Sequence, residues 1–203
     1  MSRLISYLSL FLSIFFLGYL FGIVGVLHPA PKPYPEHVHI TIYIDRSFNS
    51  FEREQIMGAA LEWTETTNHI VDYDIVQLPS LTPTKTTDCL YFTKITPDTP
   101  VAVLYDRTNK NTTLAYYDNT NLPMVAMISE RISDDEFKAV VMHEIGHSLG
   151  LEHNEGMEGI GSLMFPSILY GNQHITQMDG EKFCNLYRCD PTKLKYKEEP
   201  FHL

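Results

Sequence analysis

Apolar residues follow three patterns along the chain, and each predicts a different element. From Leu4 to Leu27 they form one run without a charged residue. As a helix rising about 1.5 Å per residue, that run would cross the roughly 30 Å hydrocarbon core of a bilayer. Farther on, short β-branched and aromatic clusters predict strands at His39–Ile44, Val71–Leu78, Leu90–Ile95, Val101–Tyr105, Leu114–Tyr117 and Met124–Ser129. The third pattern is helical. Ile56, Ala59, Ala60 and Trp63 share one face of a helix that opens on the capping box Asn49/Glu52 and runs to about Thr66. A second box, Ser133/Glu136, opens a helix ending at Gly150, and a last helix begins near Thr176 and stops before Pro191. Pro79 to Thr87 reads as a loop. Strands come first and a capped helix follows, which predicts an α+β domain with helices packed on a mixed twisted sheet.

These patterns divide the chain into 1–27, a membrane signal, 28–36, a stiff linker carrying Pro29, Pro31, Pro33 and Pro35, and 37–203, one globular domain. The first segment exceeds the usual signal-peptide core of roughly 7–15 residues, and no A-x-A-like cleavage site follows it, so an anchor is favoured over a cleaved signal. Arg3 precedes the span and Lys32 follows it, an arrangement that leaves the N-terminus cytoplasmic and the domain outside. A cleaved segment would instead release a secreted protein.

Composition narrows the function. The 203 residues are 44% hydrophobic, enough for a real core, and carry a formal net charge of -10 with no basic stripe, which argues against a nucleic-acid partner. The three cysteines, Cys89, Cys184 and Cys189, contain no C-x-x-C pair that would suggest a cysteine-based zinc site. Cys184 and Cys189 can bridge only if the helix carrying Cys184 ends between them.

The chemistry lies in residues 143–153, HEIGHSLGLEH. On a helix, His143 and His147 stand one turn apart on one face and can share a metal ion. Glu144 is turned by about 100° and can sit beside that ion as a general base. Gly150 permits a left-handed helix end, and the reversal would deliver His153 as third ligand. Three protein ligands leave a catalytic zinc one open position for water. Zinc would bring the pKa of that water toward neutrality, and Glu144 would take its proton.

H-E-x-x-H-x-x-G-x-x-H followed by Ser162-Leu163-Met164-Phe165-Pro166 resembles the metzincin zinc peptidases, with a Met-turn similar to that of the matrixin-like branch. The resemblance implies a zincin-like fold with a small C-terminal subdomain, one catalytic Zn2+, and endopeptidase activity on peptide or protein substrates. It also implies that Met164 packs beneath the three histidines. Thr113-Leu114-Ala115-Tyr116 looks like the edge strand that pairs with extended substrate, making Leu114, Ala115 and Tyr116 candidate substrate contacts. Tyr170 is a candidate for lining a specificity pocket. Asn154 departs from the Ser, Asp, Glu or Pro that better-known branches carry after the third histidine. Asp106 and Asp118 could hold Ca2+, but solvated loop acids explain them better.

The remaining histidines, His28, His37, His39, His69, His174 and His202, follow no ligand spacing, although His37 and His39 share one strand face as a surface metal pair would. Two other readings stay open. A tethered binding module could keep the fold without turnover, though it would have no need of Glu144. A structural zinc site would require a fourth ligand, with Glu152, Glu155 and Glu158 nearby.

Overall fold

Among residues 37–78, 88–97, 114–120, 122–167 and 173–197, which the computed structural model describes, five strands form one mixed sheet. They are β1 (Val38–Asp45), β2 (Val71–Leu78), β3 (Cys89–Lys94), β4 (Ala115–Asp118) and β5 (Met124–Met127), in the order β2-β1-β3-β5-β4. Neighbours are parallel except β4, which runs antiparallel to β5 and forms one edge. Parallel neighbours need a crossover, and helix α1 (Ser50–Thr66) supplies the one between β1 and β2. The chain divides into two units, Met1–Pro33 and Tyr34–Leu203, and all the described residues belong to the second.

The helices start where capping chemistry puts them. Asn49 Oδ1 accepts from the Glu52 N–H at 2.9 Å, while the Asn49 N–H donates to Glu52 Oε2 at 2.7 Å. Two otherwise orphaned groups satisfy each other at the first turn. Helix α2 (Asp134–Ser148) follows Ser133, whose N–H donates to Glu136 at 3.4 Å, and α3 (Gln177–Tyr187) opens on Thr176 and Asp179.

The core forms where sheet and helices meet. Ile42 and Ile44 of β1, Leu90 and Phe92 of β3, and Val125 and Met127 of β5 are buried in one cluster. Ile56, Ala59, Ala60 and Trp63 of α1 and Val140, Val141 and Ile145 of α2 complete it. Fully burying a side chain such as Val, Leu or Ile contributes roughly 1.5–3 kcal/mol relative to leaving it exposed. Trp63 adds orientation, because its indole N–H donates to the Met142 carbonyl at 2.9 Å and fixes α1 against α2 beside His143.

The sequence reading differs from the structure in one instructive place. Helix α2 ends at Ser148, and Gly150, with φ at 87°, is the first residue past its cap. Cys184 and Cys189 form a disulfide, since α3 stops at Tyr187 and Arg188 turns left-handed between them; Cys89 is buried in β3. The strand expected at Val101–Tyr105, the loop at Pro79–Thr87 and the apolar run Leu4–Leu27 lie outside the described residues. No helix among the described residues is long and apolar enough to cross a membrane.

Candidate metal centre and active site

Helix α2 presents His143 and His147 from successive turns, and the helix end delivers the third imidazole. The Leu151 N–H donates to the Gly146 carbonyl at 3.0 Å, and the Gly150 N–H donates to the His147 carbonyl at 3.0 Å. This pair of bonds is a Schellman cap, which needs a left-handed residue at its corner, and Gly150 provides it. The reversed chain then carries His153 back to the helix face.

The hydrogen bonds set the tautomers. His143 Nδ1 lies 2.7 Å from the Leu163 carbonyl and His147 Nδ1 lies 2.8 Å from the Leu151 carbonyl. Carbonyls only accept, so each Nδ1 carries the proton and each Nε2 offers a bare lone pair. Those lone pairs converge: His153 Nε2 is 3.2 Å from His143 Nε2 and 3.1 Å from His147 Nε2. Two ligands about 2.0–2.1 Å from a tetrahedral zinc stand roughly 3.3 Å apart, so the donor set fits that ion. Among the described residues, this is the one group of three His, Cys, Asp or Glu side chains with ligand atoms within 4.8 Å of one another. Glu152, Glu155 and Glu158 do not belong to it.

Burial tunes the group. It pushes His143 down to about 4, helped by the neighbouring His147, and it also lowers His147 and His153. Neutral imidazoles, the form that binds metal, are therefore favoured. Glu144 is 5% exposed, its Oε2 has no partner, and burial pushes its carboxyl up to about 8. A buried carboxyl without a partner next to three converging imidazole nitrogens is a costly arrangement for stability alone.

Met164 is fully buried. It packs so closely under Gly146 that a Cβ there would collide with the Met164 sulfur. The Met164 carbonyl accepts from the Asn154 N–H at 2.8 Å, tying the turn to the residue after His153.

Asp179, which sequence reasoning missed, holds these pieces in register. It is fully buried and accepts from the N–H groups of Leu163 (3.0 Å), Met164 (3.2 Å) and Thr176 (2.9 Å). It also accepts from the hydroxyls of Ser162 (2.5 Å) and Thr176 (2.7 Å) and from Asn154 Nδ2 (3.0 Å). The signal was present as Thr176-x-x-Asp179, a helix-start pattern whose acid here serves a second purpose.

The remaining expected contacts divide. Ala115 and Tyr116 belong to β4, paired on one side by β5 and forming the sheet's edge, with Leu114 just before them. The Leu114 carbonyl accepts from the Ile128 N–H at 2.8 Å. The Tyr116 side chain is 9% exposed and is part of the core. Asp118 binds the Thr120 N–H at 2.8 Å. Tyr170 and Asp106 lie outside the described residues.

The peptidase M10 family model, described as matrixin, matches residues 52–188. The chain belongs to the matrixin family. It is a zinc-dependent endopeptidase of the metzincin type, with a histidine triad for a single catalytic zinc. Among solved structures, this matrixin is similar to an archaemetzincin from Methanopyrus kandleri at 12% identity, covering 79% of this chain and 99% of that one, with a TM-score of 0.50. It is also similar to high choriolytic enzyme 1, a hatching-enzyme zinc protease from the medaka Oryzias latipes, at 13% identity over 76% and 92% of the two chains, with a TM-score of 0.49. Myroilysin matches at 19% identity over 59% of this chain and 51% of that one, with a TM-score of 0.36. The archaemetzincin likeness supports the zincin-like α+β fold. No curated protein matches the sequence.

Proposed function

We propose that His143, His147 and His153 hold the zinc through their Nε2 atoms and that Glu144 is the general base of peptide hydrolysis. One observation carries this reading: three Nε2 atoms converge, two of them held proton-free by their Nδ1 bonds, with a buried carboxyl oxygen without a partner on the residue next to His143. Zinc, when bound, polarises the scissile carbonyl and acidifies the attacking water. A nearby cation favours the ionised carboxylate, so Glu144 can accept that water's proton and return it to the leaving amine. Leu163 and Leu151 keep the imidazoles in the required tautomer, and Met164 gives the triad a packed, water-free floor. Substrate adds as a strand along β4, with the backbone of Leu114, Ala115 and Tyr116 as its ladder and Tyr170 near the pocket beyond the Met-turn.

Residues 1–27 are proposed to anchor the enzyme and residues 28–36 to space it from the bilayer. The domain 37–203 then works outside the cytoplasm, or is secreted if the segment is cleaved. The test is Glu144→Ala in the full chain. Loss of a general base typically costs about 100- to 10,000-fold in rate. Turnover should fall by that order while zinc content stays at the parent's level. Parental turnover in the variant would remove Glu144 from the mechanism.

A further inference from the structure

A second group of imidazoles and carboxylates lies far from the catalytic triad in sequence, where β1 and β2 begin. Their register sets His39 beside Asp72 and Thr41 beside Asp74. His39 Nε2 pairs with Asp74 Oδ2 at 2.8 Å, a complete hydrogen bond. His37 is different. Its Nδ1 lies 2.8 Å from the His69 carbonyl, so that nitrogen must carry the proton. In a neutral imidazole the Nε2 then offers only a lone pair, and it faces Asp72 Oδ2 at 3.3 Å. That contact is completed either by a second proton on the imidazole or by a metal ion between the two groups.

We propose that His37 and Asp72, joined by His69, form a second site for a divalent transition metal such as Zn2+. The 3.3 Å separation equals the span of roughly 3.3 Å between two ligands bonded at about 2.0–2.1 Å to a tetrahedral ion. His69 Nδ1 already lies 3.0 Å from the other Asp72 oxygen. Its side chain is 68% exposed, so the ring is free to turn and add a third ligand, with water as the fourth. The backbone supports this arrangement. Asn68 and His69 are consecutive non-glycine residues in left-handed conformations, with φ of 51° and 64°. Such conformations persist where the surrounding structure requires them. Here they aim the His69 carbonyl at His37 and its ring at Asp72.

The chemistry selects the ion. Two imidazoles and one carboxylate suit zinc, nickel or copper better than calcium or magnesium. The ion would fasten the start of β1 to the turn that leads into β2. Sequence spacing suggested His37 with His39; the structure assigns His39 to Asp74 and gives His37 a different imidazole partner.

The experiment equilibrates the full chain, in detergent, with a modest excess of Zn2+, removes loose metal by desalting, and counts zinc per chain. The parent should hold two ions. Asp72→Asn and His37→Gln should each hold one and keep peptidase activity, and the retained catalytic zinc reports that both variants are folded. His39→Gln should still hold two. A parent with a single zinc would mean that a proton, as an ordinary ion pair, fills the gap between His37 and Asp72, and the proposal would fail. Two ions in Asp72→Asn, or loss of the second ion in His39→Gln, would also overturn it.

Discussion

Two buried carboxylates, one on α1 and one on α3, are satisfied in opposite ways. Glu62 is 1% exposed and is met by two lysines and an imidazole from three separate segments. Lys138 of α2 and Lys197 of the C-terminal segment reach Oε2 at 2.6 and 2.8 Å, and His174 reaches Oε1 at 2.8 Å. Asp179, fully buried, is met by backbone N–H groups, hydroxyls and one amide, none of them charged. The difference is one of mobility. The cations around Glu62 sit on half-exposed side chains that can turn to water if the carboxylate is lost. The donors around Asp179 are backbone N–H groups or short side chains with little freedom to turn away. Glu62 ties elements together, whereas Asp179 sets the shape of the Met-turn.

Removing each acid tests that contrast, and Asp179 should give the larger effect. Asp179→Ala leaves several buried donors without acceptors, at about 3–5 kcal/mol of stability. Because Asn154 and Met164 lose a shared anchor, zinc retention should fall as well. Chemical denaturation together with zinc analysis checks both. A variant as stable as the parent, with its zinc intact, would mean that packing alone holds the turn.

Glu62→Gln should cost less, about 1–2 kcal/mol, since Lys138 and Lys197 can rehydrate. Its signature is in pH. Burial raises the Glu62 carboxyl, but the bonds from Lys138, Lys197 and His174 outweigh that and bring it below its ordinary 4.5. A depressed folded value means that this group's stabilisation is present above the unfolded value and is lost as pH falls through the folded one. The parent should therefore lose more stability below about pH 4.5 than Glu62→Gln does. Equal acid sensitivity in the two proteins would show that Lys138, Lys197 and His174 contribute nothing net.

Much of the fold and the centre of the site were legible in the sequence because local rules decide them. The capping boxes at Asn49 and Ser133, the face Ile56–Trp63, and the spacing of His143, His147 and His153 all depend on residues close together in the chain. Gly150 was readable for the same reason, since the turn it makes is a backbone requirement of one residue. Asp179 was not. Its role depends on donors at Asn154 and Ser162–Met164, brought to it by the packing of α3, and a capping pattern reveals nothing of that second use. Glu62 was hidden in the same way, because its partners at 138, 174 and 197 meet only after folding. The burial of Tyr116 was hidden likewise: it lies on the edge strand, and its side chain turns into the core.

Glu144 is the third buried acid; its expected effect on stability is the smallest of the three at pH 5 and is opposite in sign. It has neither the cations of Glu62 nor the donors of Asp179, and burial raises it to about 8 from an ordinary 4.5. In the metal-free protein, the folded state therefore holds a proton that the unfolded chain releases above the lower value. The stabilisation is complete below that value and is lost as pH rises through the folded one, the reverse of Glu62. Glu144→Gln removes the titration but keeps the shape. With zinc chelated, its stability should lie within about 1 kcal/mol of the parent at pH 5 and exceed it by more at pH 7.5. Denaturation curves of the chelated proteins at those two pH values decide this. If parent and variant differ equally at both, the Glu144 carboxylate is already compensated in the resting protein. If the gap opens with pH, the enzyme gives up stability to keep an unsatisfied base beside its metal site.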